Sequence, residues 1–338
     1  MAIEDRKNAH IHANLNEDVA YRDVRTGFDE ITFVHNALPS ISFEDVDTTT
    51  RFLNWNLRVP FLLSSMIGGT DEAHRLLTNL AMASSEIGSA IGLGSQRIAI
   101  EQPERRRFFE IRNIAHNVPI FANIGAIQLN KNVSASDCKR LIDSTEADAL
   151  ILHLNPLQEV LQSGGDTQFA GLESQIEELV NEMEVPVIVK EVGFGISADV
   201  ARRLADLGVH AIDVAGAGGT SWSAVEGQLA TDPIKGAMAG IFREWGIPTV
   251  ESLKQVRVAV PDVPVIASGG IRHGLDAAKA IRLGASMVGF GGAALRAAAE
   301  GPEAIVEFLE LARETLRAAM FATGSGDITA LRSAPLSE

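Results

Sequence analysis

The chain has 338 residues, 46% of them hydrophobic and 22% charged, enough for a sizeable core in one large domain or two small ones. Its 44 acidic and 29 basic residues give a formal charge of −15, which argues against a general nucleic-acid or anionic-membrane binder. A single cysteine, Cys138, excludes an intrachain disulfide and fits a reducing cytoplasm. The polar start "MAIEDRKNAHIHANLNED" has no apolar signal core, and no apolar run approaches the roughly 18 residues of a membrane span. An anionic ligand would need a local basic cluster or a metal against this background.

Residues 1–58 read as an N-terminal extension. In it, "RKNAHIH" gathers Arg6, Lys7, His10 and His12, and a helix would set Arg6 and His10 one turn apart on one face. Either this is a solvated basic end, or it is an arm folded over a site to clamp an anion. From residue 59 short apolar runs alternate with amphipathic stretches. The strand candidates are Val59–Met66, Ser89–Ser95, Val118–Gly125, Ala147–Leu154, Val185–Val192, His210–Ala217, Val263–Gly270 and Ser286–Ala293. Most are continuously apolar, as strands covered on both faces of a parallel sheet are. Between them, "SADVARRLADLG" has Ser197 as N-cap, Val200, Leu204 and Leu207 on one face, and Gly208 as a stop. "SASDCKRLIDS" places Ser134 and Asp137 at capping-box spacing. "LGVHAIDVAGA" and "LGASMVGFGGA" echo one another as helix end, strand and Gly-Ala. Eight such units predict an α/β fold, a TIM (β/α)8 barrel over 59–338, rather than an open doubly wound sheet. Residues 219–249 form a long connection after the sixth strand, and long loops are usually functional or mobile.

In such a barrel the site forms at the carboxyl ends of the strands. Those ends read "SSMIGG", "LGSQR", "ANIGA", "HLNPLQE", "KEVGFG", "AGAGGTSW", "SGGIR" and "GGAAL". The seventh and eighth supply Gly269, Gly270 and Arg272, then Gly291, Gly292 and the amides of Ala293 and Ala294. Glycines let amides approach a phosphate, and an arginine adds a charge-assisted contact. This predicts a phosphate-bearing ligand such as a nucleotide cofactor. Lys190 sits inside an apolar strand, where burial is costly without a partner. It either pairs with Glu191 or Asp213, or serves as a cation facing the mouth. "HLNPLQE" is a polar cluster at the end of a buried strand. His153 could be a satisfied core histidine, while Pro156 breaks the strand and lets Gln158 and Glu159 project from the loop.

Together these stretches resemble the type 2 isopentenyl diphosphate isomerases. The resemblance runs nearly the whole chain, through "RK..H", "MIGG", "GS.R", "HLNPLQE", "KEVGFG", "GAGGTSW", "WGIPT" and "SGGIR" in matching order and spacing. That family is a group of TIM-barrel flavoproteins that bind FMN and Mg²⁺, and it interconverts isopentenyl and dimethylallyl diphosphate with no net redox change. NADPH or another reductant brings the flavin to its reduced, active form. The resemblance implies FMN contacts from Met66, Ile67, Gly68, Ser95, Asn123, Lys190 and Thr220, with Gly270, Ile271, Arg272, Ala293 and Ala294 around its phosphate. It implies that Arg6, Lys7, His10, His153 and Gln158 bind substrate, and that Glu159 ligates Mg²⁺. It also implies a homo-oligomer, a tetramer or octamer. One departure is visible. The family commonly has Met-Thr-Gly-Gly where this chain has "MIGG", so Ile67 contributes no hydroxyl and contacts there come from the backbone.

Moving a double bond means adding one proton and removing another, and an unactivated alkene needs its acid held in line. No carboxylate pair here advertises itself for that work. The resemblance assigns acid and base to reduced FMN, with Lys190 and His153 as the catalytic side chains. Two other barrel chemistries fit less well. A hydroxy-acid oxidase needs a histidine base near "AGAGGTSW", which has none. An enzyme of the inosine-monophosphate dehydrogenase kind needs a loop cysteine, and Cys138 falls in a capped helical pattern. A non-catalytic flavin-binding barrel is the remaining alternative.

Overall fold

Four of the apolar runs open with Val-Pro, and that dipeptide marks one rim of the fold. In the computed structural model, which describes residues 3–337, the carbonyls of Pro60, Pro119, Pro186 and Pro264 accept N–H groups from Val288, Ile91, Leu150 and Ile212 at 2.8 to 3.1 Å. Proline offers the ladder an acceptor and no donor, so it fits only where a strand begins. The strands that follow are β1 (Phe61–Leu63), β2 (Ala90–Gly92), β3 (Ile120–Gly125), β4 (Ala149–His153), β5 (Val187–Lys190), β6 (Ala211–Asp213), β7 (Val265–Ala267) and β8 (Met287–Phe290). All neighbours pair in parallel, and β8 closes on β1 with Val288 opposite Phe61. The predicted barrel is present, and each strand lies inside its predicted run. The runs overshoot because their polar and glycine ends leave the ladder to build the mouth.

The two faces of the wall have different partners. Phe61, Leu63, Ile91, Leu150, Val187, Ile212 and Val265 point outward into the core shared with the helices. Leu62, Ala90, Phe121, Ile151, Ile188, Ile266 and Met287 point inward. A short antiparallel hairpin, Thr50–Phe52 with Trp55–Leu57, fills the end where the strands start. Its Phe52 and Trp55 rings lie 6.4 and 5.8 Å from the Phe121 ring. Sequence patterning did not reveal this plug.

The capped helices form as expected. Ser197 accepts the Val200 N–H at the start of helix Ala198–Asp206, and Gly208 turns the chain at φ +80°. Ser134 and Asp137 exchange both capping-box bonds ahead of helix Ala135–Thr145. The 219–249 connection differs from a plain loop. It holds two helices, Trp222–Leu229 and Pro233–Ile241, capped by Ser221 and Asp232.

Residues 3–16 form one helix. The strand-like segment after it is fastened to the connection. The Tyr21 N–H donates to Gly219 O, and its hydroxyl donates to Gly193 O and Trp245 O. The Glu244 carboxylate accepts the amides of Arg22, Asp23 and Val24. The long helix Pro302–Thr323 packs along helices Asp71–Ile87 and Gly274–Arg282. Among the described residues no helix is long and apolar enough to cross a membrane.

Candidate active site at the barrel mouth

A cavity of about 360 Å³ opens at the carboxyl ends of the strands, roofed by the N-terminal helix and the 219–249 connection. Every residue the resemblance assigned to FMN, substrate or metal lines it except Ala294, which is buried in the first turn of the helix at its edge. The floor comes from "SSMIGG". The hydroxyls of Ser64 and Ser65 are buried there without a partner, a cost that a bound ligand would relieve.

Register fixes the central charges. His153, Lys190 and Asp213 stand side by side on β4, β5 and β6. Lys190 is buried, and its ammonium donates to Glu191 O at 2.5 Å, with no carboxylate in ion-pair contact among the described residues. Burial lowers the Lys190 pKa, opposed by the nearby charges of Asp213 and Glu191. Burial likewise raises both carboxyls, Glu191 to about 7 even though its side chain accepts the amides of Val192, Gly193 and Phe194. The open choice for Lys190 therefore falls between the two readings. It lines the mouth without a salt bridge, and the neighbouring acids it does not touch oppose the effect of its burial.

His153 Nδ1 donates to Asn123 Oδ1 at 2.9 Å. Asn123 is fixed in turn by Gln96, whose N–H bonds Asn123 O and whose Oε1 accepts the Asn123 N–H. Burial, then the cations of Lys190 and Lys7, hold His153 down to about 3. The imidazole is thus neutral, with Nε2 left as an acceptor beside Gly125.

"HLNPLQE" folds as strand end and short helix, Pro156–Leu161, rather than as a projecting loop. Pro156 takes the first turn, where its missing N–H costs nothing. Gln158 and Glu159 are both buried. Glu159 Oε1 accepts from Asn155 Nδ2 at 2.9 Å and Oε2 from the Asp166 N–H at 2.7 Å. Gln158 Nε2 donates to Glu226 Oε1, which also faces His10 Nε2 at 3.1 Å. His10 meets the Trp222 ring edge-on at 5.3 Å. Lys7 reaches Ser95 O at 2.8 Å, and burial with the neighbouring Arg6 charge depresses it to about 7. The basic stretch is therefore an arm over the mouth rather than a solvated end. His12 alone turns outward, to Glu72.

The cradle is backbone against backbone. A Cβ on Gly269 would fall 2.1 Å from Gly216 O, and one on Gly219 would fall 2.5 Å from Gly270 N. Helix Gly292–Glu300 starts at Gly291 with no side-chain cap, leaving first-turn amides free for an anion. Arg272 and Arg296 flank it.

Residues 128–338 match the family model of FMN-dependent dehydrogenases. Isopentenyl-diphosphate delta-isomerases from Synechococcus, Rickettsia bellii and Vibrio parahaemolyticus are 49, 47 and 46% identical, covering 98% of this chain and 95, 96 and 98% of theirs. The chain belongs to the isopentenyl-diphosphate delta-isomerase family. Solved structures share the fold. A mandelate oxidase superposes with TM-score 0.66 at 20% identity, covering 97% of this chain and 91% of its own. A protein described as a Pediococcus acidilactici lactate oxidase gives 0.68 at 16%, covering 98 and 90%.

In this isomerase chain Ile67 is buried, and its carbonyl accepts the Gly94 N–H. Only backbone is on offer there, as the missing hydroxyl implied. Cys138 is buried in its helix, its thiol pushed up to about 12 by burial, and takes no part in the cavity. Trp222, Asn155 and Gln162 line the cavity, and Glu226 stands behind it holding Gln158 and His10, yet none of the four was singled out from the sequence. The signal for Glu226 was its place one turn past Trp222 on a capped helix.

Proposed function

We propose that the protein interconverts isopentenyl and dimethylallyl diphosphate, with FMN on the glycine cradle and Mg²⁺ on Glu159. The observation that carries this is the convergence on one cavity of two separate anion-compatible regions. One is the cradle of β7, β8 and the uncapped helix. The other is the arm with Arg6, Lys7 and His10. A single phosphate needs one of them, and a flavin nucleotide plus a diphosphate substrate needs both.

The residues present fit these groups. The orphaned hydroxyls of Ser64 and Ser65, and glycines that admit no Cβ, suit a flat ring and a phosphate held by amides. Met66, Gly68, Ser95, Asn123, Lys190 and Thr220 would line the ring, with Gly270, Ile271, Arg272, Ala293 and Ala294 at the phosphate. One buried carboxylate, Glu159, suits Mg²⁺, which takes one or two carboxylates and completes its shell with phosphate oxygens and water. FMN, brought to its reduced form by NADPH, supplies the proton-exchanging chemistry. Lys190 would contact the flavin and, when charged, favour its anionic form. His153, neutral, would accept a hydrogen bond through Nε2 and orient substrate. Gln158 and His10 would hold the diphosphate side against Glu226, while Arg6 and Lys7 close over it. A 1–58 arm and a 59–338 barrel then divide the work into clamping and chemistry. Exposed Ile234, Ile241 and Trp245 on and just after one helix of the connection support a homo-oligomer, and Cys138 as a free thiol supports a cytoplasmic setting.

The test is anaerobic incubation with isopentenyl diphosphate, FMN, NADPH and Mg²⁺. Dimethylallyl diphosphate should form without net NADPH consumption. Stoichiometric oxidation of NADPH, or turnover of a 2-hydroxy acid instead, overturns the proposal.

A further inference from the structure

A second concavity, about 380 Å³, lies at the opposite end of the barrel, where β7 and β8 begin. Arg257, Arg282 and Arg332 converge on it around the backbone of Val263, Gly284 and Ser286. We propose that this cluster is an anion site for a phosphate-type ligand, inorganic phosphate or diphosphate, separate from the isomerase cavity.

The three arginines come from different elements. Arg257 is in the last turn of helix Thr249–Ala259, Arg282 ends helix Gly274–Arg282, and Arg332 follows helix Ile328–Leu331. Arg257 spends one N–H on Val263 O at 3.1 Å, and Arg282 spends one on Ala334 O. A guanidinium has five donors, so most of this capacity is unused. Among the described residues none of the three is in an ion pair, and the Arg332 guanidinium has no hydrogen-bond partner. All three stand at helix carboxyl ends, but the helix before Arg332 has only four residues, so its dipole gives that charge little to neutralise.

Like charges gathered this way repel. Burial first, and then the Arg332 charge, lower the Arg257 pKa, while the rim carboxylate of Asp262 opposes the shift. Gly284 permits the arrangement. At φ +103°, a Cβ there would fall 2.9 Å from Arg257 Nε. The Arg257 stem packs against that turn, and the residue lines the concavity. In a chain of charge −15, three forks with most of their donors unspent around a hollow suit the bidentate geometry of phosphate oxygens. A concave site of this size suits a small anion better than the flat face of a partner.

Calorimetric titration of the FMN-loaded protein with inorganic diphosphate, without Mg²⁺, tests this. In a Lys7→Ala background, which weakens the mouth, one binding event should remain. Adding Arg332→Gln should weaken that event at least about tenfold, and Arg332→Lys should fall between. Inorganic phosphate should compete for it. Arg332 is exposed, so Arg332→Gln alone should fold and keep isomerisation within about twofold. The proposal fails if no event remains in Lys7→Ala, or if Arg332→Gln and Arg282→Gln both leave it unchanged. Binding of an acidic peptide but not of diphosphate also overturns it.

Discussion

The two ends of this barrel solve opposite problems. Where the strands begin, Phe52, Trp55, Leu57 and Phe121 fill the interior with apolar contact. Where they end, the same wall buries Lys190, Glu191 and Asp213 and leaves the hydroxyls of Ser64 and Ser65 unpartnered. One end contributes stability and the other consumes it. Residues only three positions apart along one segment belong to the two regimes: Ile188 in β5 to the plug, Glu191 just past its end to the charged set. That gradient separates mutations that unfold the protein from mutations that silence it.

The sharpest way to break the contrast is at the plug. Phe52→Ala should destabilise by about 3–5 kcal/mol, read as a lowered Tm or denaturant midpoint, with kcat of the folded protein little changed. A kcat loss as large as the stability loss would join the two ends into one functional unit. At the mouth, Lys190→Ala should lower kcat by about a hundred- to thousandfold while FMN absorbance is retained. Full turnover with bound FMN would remove Lys190 from the chemistry. A smaller effect is expected from Glu159→Gln. Apparent Mg²⁺ affinity should weaken about 10–100-fold with the flavin spectrum intact, whereas loss of FMN would count against the metal role.

The mildest probe is pH. Lys7 in the free enzyme titrates near 7, against an ordinary value of 10.5. Its charge is present below about pH 7 and lost above it, so KM for the diphosphate should rise with pH from there, by at most about tenfold per unit. Lys7→Arg should remove that limb. His153, held to about 3, should contribute no limb between about pH 5 and 8. A histidine-like step abolished by His153→Gln would contradict its neutral state.

Much of the wall was legible in the sequence because a strand buried on both faces writes itself as an unbroken apolar run. The cradle was legible because glycine is required wherever two loops pack backbone to backbone, as at Gly219 and Gly269. The hairpin plug was not. Thr50–Leu57 alternates weakly, and its partner Phe121 is far away in sequence and belongs to another element. Glu226 was equally hidden. An acidic residue on an amphipathic helix looks solvated until the fold brings Gln158 and His10 to one of its oxygens. The short helix of "HLNPLQE" was misread as a loop because Pro156 serves both as a strand stop and as a helix start.

The pairing of Phe61 with Val288 carries a consequence for how the protein is made. The first and last strands of the barrel are neighbours in space although 227 positions (288 − 61) separate the paired residues, so the ring cannot shut until most of the chain has been made. Until β8 docks, Leu62 and Leu63 present an open edge. The glycines of the cradle are among the last residues translated before the closing helices. A nascent chain therefore exposes its stickiest edge before it can capture a cofactor. Folding yield at limiting flavin should then depend on late events, once the final strand has found the first.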